Sequence, residues 1–386
     1  MNRLMGAVTT MLALCAAGGA FAQSPVKIGL VTTLSTAGGA LGEDARDGFL
    51  LAVKQEGGKL GGIPVEVIVN DDGLNPTTAK QIAERMLQRD GVRIFTGTIY
   101  SVVSLAINPD LLRAGAFVVS QNNGPPEFDG ANCHPHYFVS AWINDAQGDV
   151  PGIAANGLNS RRVVTIASNF KAGRDAIANF KKRFKGEVVE EILVKINQTD
   201  YASEVSRIKF LKPDGIYSFL PGGMSVSFLR QMHQAGVTGI KQYNGQTIDE
   251  RVLNAVGEAG SDTIGVSPWG PDLNNPTNKQ FVAAFQESYK RIPTVYSAQA
   301  YDAARLIGSA LRQTRGSLSD AAAFRAAMRA ARFDSVRGKF SFGKSQHPIQ
   351  DYYINHPAKT AAGYILELGR KLATDYASPY AGQCPQ

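Results

Sequence analysis

The sequence predicts an α/β protein made of two similar units, each a parallel sheet covered by helices on both faces. Three observations predict it. Apolar runs alternate with amphipathic helical stretches about every 25–30 residues, the rhythm of βαβ crossovers. The rhythm pauses between His134 and Gly148 and restarts at Val163. No low-complexity linker divides the halves, which implies a chain that crosses between lobes more than once, as in a hinge.

Val26 to Val31 reads as the first strand and runs into a glycine-rich loop, Leu34 to Gly42. The helix after it carries Ala45, Phe49, Ala52 and Val53 on one face. Val65 to Val69 is a strand ending in Asp71-Asp72, and residues 77–90 place Ala79, Ile82, Ala83, Met86 and Leu87 at helical spacing. The run Val92, Ile94, Phe95 breaks at Gly97, and Ser101 stands at a helix-cap position before Val102, Val103, Leu105 and Ala106. A strand, a glycine turn, a hydroxyl and a helix start leave backbone N–H groups unpaired and facing outward, a geometry that holds an anion. Ser101 serves equally well as a plain cap of its own helix, and both readings stand at this point. Ala116 to Ser120 is the next strand.

In the second half, strands fall at Val163–Ala167, Val188–Val194, Gly215–Leu220, Ile240–Tyr243 and Thr263–Ser267. The first helix there carries Ala176, Ile177, Phe180 and Phe184, and others start near Tyr201, Ser225 and Asp249. Residues 275–332 read as mostly helical, with short closing strands at Lys339–Phe342, Asp351–Ile354 and Tyr364–Leu368.

Residues 1–22 read as a signal peptide: Arg3, an apolar Met5–Ala17 core, and Ala20-Phe21-Ala22 before Gln23. Cys15 follows Leu14 where a lipoprotein site needs a small residue. No later stretch approaches the ~18 apolar residues of a membrane span, so an exported, periplasmic protein is expected. The net charge of +7 loses one unit with Arg3. The basic residues are scattered apart from Lys181-Lys182-Arg183, so nucleic acid is not an expected partner. The mature chain keeps Cys133 and Cys384, and in an oxidising compartment one bridge between them is expected.

Enzyme signatures are missing. Gly38-Gly39-Ala40-Leu41-Gly42 is neither a dinucleotide fingerprint nor a P-loop, and there is no H-E-x-x-H or G-x-S-x-G. His134 and His136 flank Pro135 beside Cys133 and read as structural, without a supporting carboxylate cluster for metal. Asp71-Asp72 reads as a strand end that caps the next helix.

Taken together, the chain resembles type I periplasmic solute-binding proteins of the branched-chain amino acid (Leu/Ile/Val) type, which feed ABC transporters. The resemblance covers the mature chain. It rests on Val26–Gly42 with its Ser-x-x-Gly-x-x-x-Gly loop, Asn70-Asp71-Asp72, Gly97 to Ser101, and Val119-Ser120 with the loop after it. Lys212-Pro213-Asp214-Gly215-Ile216-Tyr217 and Tyr301-Asp302-Ala303-Ala304 also match. It implies two Rossmann-like lobes joined by a three-segment hinge. The lobes would be residues 24–141 with 271–343, and 142–270 with 344–386; the hinge would lie near Trp142–Gln147, Ser267–Gly270 and Gly343–Gln350. It implies a binding protein and no enzyme, with no cofactor or metal, working as a monomer that delivers ligand to permease subunits.

The resemblance further implies a ligand carboxylate held by Ile99-Tyr100-Ser101 and by Asn122-Asn123-Gly124, with Leu41 of the first loop lining the cleft. Where amino acid binders place an acid for the ligand ammonium, this chain has Gln246. A tyrosine position of the family falls at Ala172, near Phe170, and another in Pro221-Gly222-Gly223. The expected pocket keeps its carboxylate grip, loses its ammonium partner, and gains room beside Tyr100, Phe170, Gly222 and Trp269. An unpaired buried ammonium costs several kcal/mol, so an aromatic or other non-amino carboxylate is expected, as in the aromatic-acid subgroup, which carries a similar cysteine pair. The alternatives are an amino acid ligand, with Asp249 or Glu250 swinging in as the acid, or a ligand-sensing receptor component.

Overall fold

Ile28, Leu30 and Val31 are wholly buried, and the strand they form, β1 (Val26–Thr32), is central to the first of two sheets. The structure is a computed structural model describing residues 24–36 and 38–385; the segment 1–22, read above as a signal peptide, lies outside them. The sheet also contains β2 (Lys59–Leu60), β3 (Ile63–Asp71), β4 (Ile94–Thr96), β5 (Phe117–Ser120) and β6 (Tyr137–Val139), in the order β2-β3-β1-β4-β5-β6. All pairs are parallel except β2 with β3. Helices α1 (Gly39–Gln55), α2 (Pro76–Gln88) and α3 (Ser101–Arg113) follow β1, β3 and β4.

The second sheet contains β7 (Arg162–Ser168), β8 (Glu187–Val194), β9 (Gly215–Phe219), β10 (Lys241–Asn244), β11 (Thr263–Ser267), β12 (Ser341–Phe342), β13 (Pro348–Thr360) and β14 (Gly363–Tyr376). Its order is β12-β13-β11-β10-β9-β7-β8, with β14 beside β13. Its helices are α4 (Ala146–Gly157), α5 (Lys171–Arg183), α6 (Ala202–Leu211), α7 (Gly223–Gln234) and α8 (Glu250–Val256). The chain then returns to the first unit as α9 (Pro276–Tyr289), α10 (Val295–Thr314) and α11 (Ala321–Ala330). Helix α10 is buried along nearly its whole length and lies against α1. The two meet at Gly48, where a Cβ would fall 2.1 Å from the Ser297 carbonyl oxygen.

The chain thus passes between the sheets three times: after β6, after β11 and after α11. Arg337 ties the first and third passages to α10. Its guanidinium pairs with the buried Asp302 of α10 at 3.0 Å and donates to the Ala141 carbonyl and to Gln350 Oε1. The turn Gly343–Gln350 also leans on the first sheet, with Val139 N donating to the Gln346 carbonyl. Ser341–Phe342, grouped above with the first lobe, pairs with β13.

Three elements were not anticipated, the two-residue β2 among them. The strand β6 is three residues long and follows His134-Pro135-His136. Helix α4 contains Pro151 and Gly148 and Gly152, residues that read as breakers. Those glycines are there for packing: a Cβ on Gly148 would lie 2.1 Å from the Ala176 carbonyl of α5. The closing strands are far longer than expected, because β13 and β14 continue as a hairpin whose outer residues, such as Lys359, Thr360, Glu367 and Lys371, are exposed. Backbone pairing carries that extension, and hydrophobic periodicity cannot report it.

Cys133 and Cys384 form a disulfide across 251 residues of sequence. The tail before Cys384 is seated by Ser378, which donates to Asp129, and by Tyr380, whose hydroxyl donates to Asp145. A bridge closing so long a loop removes much entropy from the unfolded chain. Replacing both cysteines by serine is expected to lower stability by about 2–5 kcal/mol, read as a lowered denaturant midpoint that non-reducing conditions no longer restore.

Candidate ligand-binding site

Between the sheets lies a cavity lined by residues of both units. The β4–α3 turn builds one wall. Gly97 takes φ +108°, and a Cβ there would fall 2.7 Å from the Val31 carbonyl oxygen. Tyr100, in extended conformation, is the residue before α3, with no side-chain capping bond. Ser101 is therefore the first helical residue, not the cap, which corrects the sequence expectation and removes the reading that it only caps its own helix. Its hydroxyl is left for other work, and the first backbone N–H groups of α3 have no intrahelical acceptor.

A lattice of buried amides fixes this turn. Asn122 Nδ2 donates to the Ile99 carbonyl at 2.6 Å, and Asn123 Nδ2 donates to the Thr98 carbonyl at 2.9 Å. Asn144 accepts from Gly124 N through Oδ1, and its Nδ2 donates to Ser101 Oγ at 3.1 Å. Since Ser101 Oγ accepts there, its own proton is free to be donated elsewhere. The Oδ1 atoms of Asn122 and Asn123 are buried with no protein partner.

Leu41, Ile99, Tyr100, Ser101, Asn122 and Asn123 line the cavity from the first unit, together with Tyr296 at the start of α10. Trp142, Asn144 and Gln147 line it from the first passage, and Phe170, Ala172, Phe219, Pro221 and Thr247 from the second unit. The ring centroids of Tyr100 and Phe170 are 5.8 Å apart across the cleft, those of Phe170 and Phe219 6.1 Å, and those of Trp142 and Tyr296 6.2 Å. Burial, and next the charge of Asp72, push the Tyr100 phenol well above its ordinary range, so it stays neutral. No carboxylate, lysine, arginine or histidine stands among the lining residues.

Three residues expected at the cavity are elsewhere. Gly222 precedes α7 at φ +60°, and its neighbour Pro221 takes the lining position. The Trp269 indole donates to Asn278 Oδ1 at 2.6 Å and packs on Phe281, inside the core beside α9. Gln246 adopts φ +75° with its carbonyl accepting from the Tyr296 hydroxyl at 3.0 Å. It lines an adjoining cavity, shared with Asp249, Glu250 and Trp269. Asp249 caps α8 by accepting from Val252 N, and Glu250 accepts from Leu366 N, so neither reaches the main cavity. The cap of α2 is Asn75, while Asp71 and Asp72 accept from Leu34, Gly73, Thr33 and Leu74 in the turn before it. His136 stacks on Phe117, and among the described residues no cluster of three metal-ligating side chains exists.

Missed as lining residues by sequence reasoning were Trp142, Asn144, Gln147, Phe219, Thr247 and Tyr296, and Pro221 was named only as part of the stretch Pro221-Gly222-Gly223. Phe219 ends β9, and Thr247 follows the end of β10 by three residues; the rule that α/β sheets bind ligands beyond strand carboxyl ends was the signal that could have found them. Tyr296 carries no such mark.

The family model described as "Periplasmic binding protein" matches residues 25–360. Leu/Ile/Val-binding protein homolog 6 of Brucella melitensis biotype 1 is 26% identical over 373 residues, covering 92% of this chain and 94% of that protein. Among solved structures, an ABC transporter solute-binding protein from R. palustris in complex with benzoate aligns with TM-score 0.88 and 28% identity, over 94% of this chain and 100% of that one. Another from Rhodopseudomonas palustris BisB5, in complex with 3,4-dihydroxy benzoic acid, aligns with TM-score 0.84 and 25% identity, over 92% and 99%.

Burial in the adjoining cavity pushes Asp249 up to about 7, helped by the charge of Asp44, and Glu250 up to about 8, helped by the charge of Asp249. Both hold their proton more tightly folded than unfolded. Their contribution to stability is therefore full below pH about 4 and lost as the pH rises through about 7 and 8. Asp249→Asn keeps a capping side chain. Its melting temperature is expected to match wild type near pH 4, to rise above it progressively toward about pH 7 and to level off beyond, read from melts between pH 4 and 8.5; a constant offset would mean the carboxyl is already ionised in the fold.

Proposed function

The chain belongs to the periplasmic binding protein family, and on that premise we propose that it captures a small aromatic carboxylate of the benzoate class and delivers it to an ABC importer. Within that family it is a solute-binding protein, not an enzyme. The observation that carries the ligand reading is the lining itself. An α3 N-terminus and the Ser101 hydroxyl offer donors to an anion, and five aromatic rings, Tyr100, Trp142, Phe170, Phe219 and Tyr296, surround them with no acidic side chain.

An α-amino acid would place its ammonium in this neutral cavity, where the nearest carboxyls, Asp249 and Glu250, face the adjoining space and are held by α8 and β14. A benzoate presents one charge and one flat apolar ring, which matches the donors and the rings. The benzoate and dihydroxybenzoate carried by two of the similar structures support the same class. The remaining parts of the proposal are export through the signal peptide of residues 1–22, closure of the lobes about the three passages when ligand touches both walls, and docking of the closed form on the permease.

The test is a thermal-shift and calorimetric panel on the mature protein at pH 7, with benzoate, hydroxybenzoates, cinnamates and aliphatic acids in one arm and branched-chain and aromatic amino acids in the other. Ligand at a hundredfold excess over Kd stabilises by about 2.7 kcal/mol. Shifts confined to the aromatic acids are expected, and shifts confined to amino acids would overturn the ligand reading. For whichever aromatic acid binds, Ser101→Ala is expected to weaken binding by roughly fivefold, about 1 kcal/mol for one hydrogen bond.

A further inference from the structure

No charged side chain lines the binding cavity, but two charged contacts join the lobes. Arg251 stands in the first turn of α8, a helix that packs on α7 and β14. Its Nη1 reaches across to α1, donating to the Ala40 carbonyl at 3.0 Å, Glu43 Oε2 at 3.1 Å and Asp44 Oδ1 at 3.2 Å, while Nη2 donates to the same Glu43 oxygen. Elsewhere on the rim, Lys171 of α5 pairs with Glu127 at 3.1 Å, from the loop after β5.

The Arg251 contact is more than a surface ion pair. Asp44 is fully buried, and Arg291 and Thr294 of the first lobe already hold it at 2.6 Å and 2.9 Å. Arg251 completes the neutralisation of that carboxylate only while the lobes are together. The Tyr296 hydroxyl, donating to the Gln246 carbonyl, is a third bond across the same side of the cleft. When the lobes part, Arg251 and Glu43 return to water, and Asp44 keeps one guanidinium in place of two.

We propose that Arg251 is a positioning residue for ligand capture: it touches no ligand, but its bonds to Glu43 and Asp44 hold a fraction of the unliganded protein closed. Apparent affinity scales with the population of the binding-competent form, so the latch multiplies affinity for whatever the cavity accepts. Because the cavity lining is uncharged, this strengthening comes without placing a counter-charge beside the ligand.

The experiment needs no ligand and so succeeds or fails apart from the ligand reading. Spin labels on the exposed faces of α2 and α6 report the distance between lobes in the unliganded mature protein. Wild type is expected to show a closed subpopulation that shrinks in Arg251→Met, shrinks in Glu43→Gln, and shrinks no further when both are combined. Molar salt should shift wild type toward the open distance, and should shift Arg251→Met by less, since only the Lys171–Glu127 pair is left there to be screened. Kd for a bound aromatic acid should rise roughly three- to thirtyfold in Arg251→Met through faster dissociation, with the melting temperature of unliganded protein nearly unchanged. Glu43 is half-exposed, so its variant keeps the test intact if Arg251→Met folds poorly. An unliganded wild type that is wholly open, or distance distributions identical in wild type and Glu43→Gln, would overturn the proposal.

Discussion

A helix N-terminus enclosed between two lobes, with no charged side chain to answer it, is the constraint around which the molecule is arranged. The first N–H groups of α3 cannot be satisfied by their own helix, and burial makes an unmet donor costly. The Nδ2 groups of Asn122, Asn123 and Asn144, donors themselves, pin loop carbonyls and the Ser101 hydroxyl. Those bonds orient the donors without consuming them. A site built this way is rigid before any ligand arrives, which keeps the ordering cost of binding low.

Neutrality of the lining has consequences for the surroundings. Charges that the fold needs are kept one layer away. Asp44 is satisfied by two arginines and a threonine, and Asp302 by Arg337, Ser335 and Val336 N. Asp249 and Glu250, too deep to ionise easily, favour their protonated forms. The electrostatic work of capture then falls on oriented dipoles, whose influence is short in range and is weakly screened inside a closed cavity.

Much of this was legible in the sequence because periodicity reports burial. Most strands from β1 to β11, though not β2 or β6, and the stripes of α1, α2 and α5 announce themselves through apolar spacing, and two cysteines permit one pairing. The turn Gly97–Ser101 was also visible, as a break in an apolar run followed by a hydroxyl. What stayed hidden depends on geometry that residue order does not encode. Whether Ser101 is the cap or the first helical residue turns on the backbone of Tyr100. The direction of Gln246 follows from its positive φ and from a hydroxyl fifty residues away. Trp269 is drawn into the core by Asn278. Helix α4 hid behind a proline and glycines that serve a tight helix contact rather than a turn.

The bridge between Cys133 and Cys384 has a topological meaning beyond its thermodynamic one. Cys133 lies in the loop between β5 and β6 of the first sheet, and Cys384 ends a tail that leaves β14 of the second. The sulfurs are therefore a fourth covalent strap between bodies that the backbone already joins three times. Severing any single passage, as a periplasmic protease would, leaves three straps in place and the two halves still tethered. Any swing of the lobes in the closure proposed above is thereby separated from a risk of their coming apart.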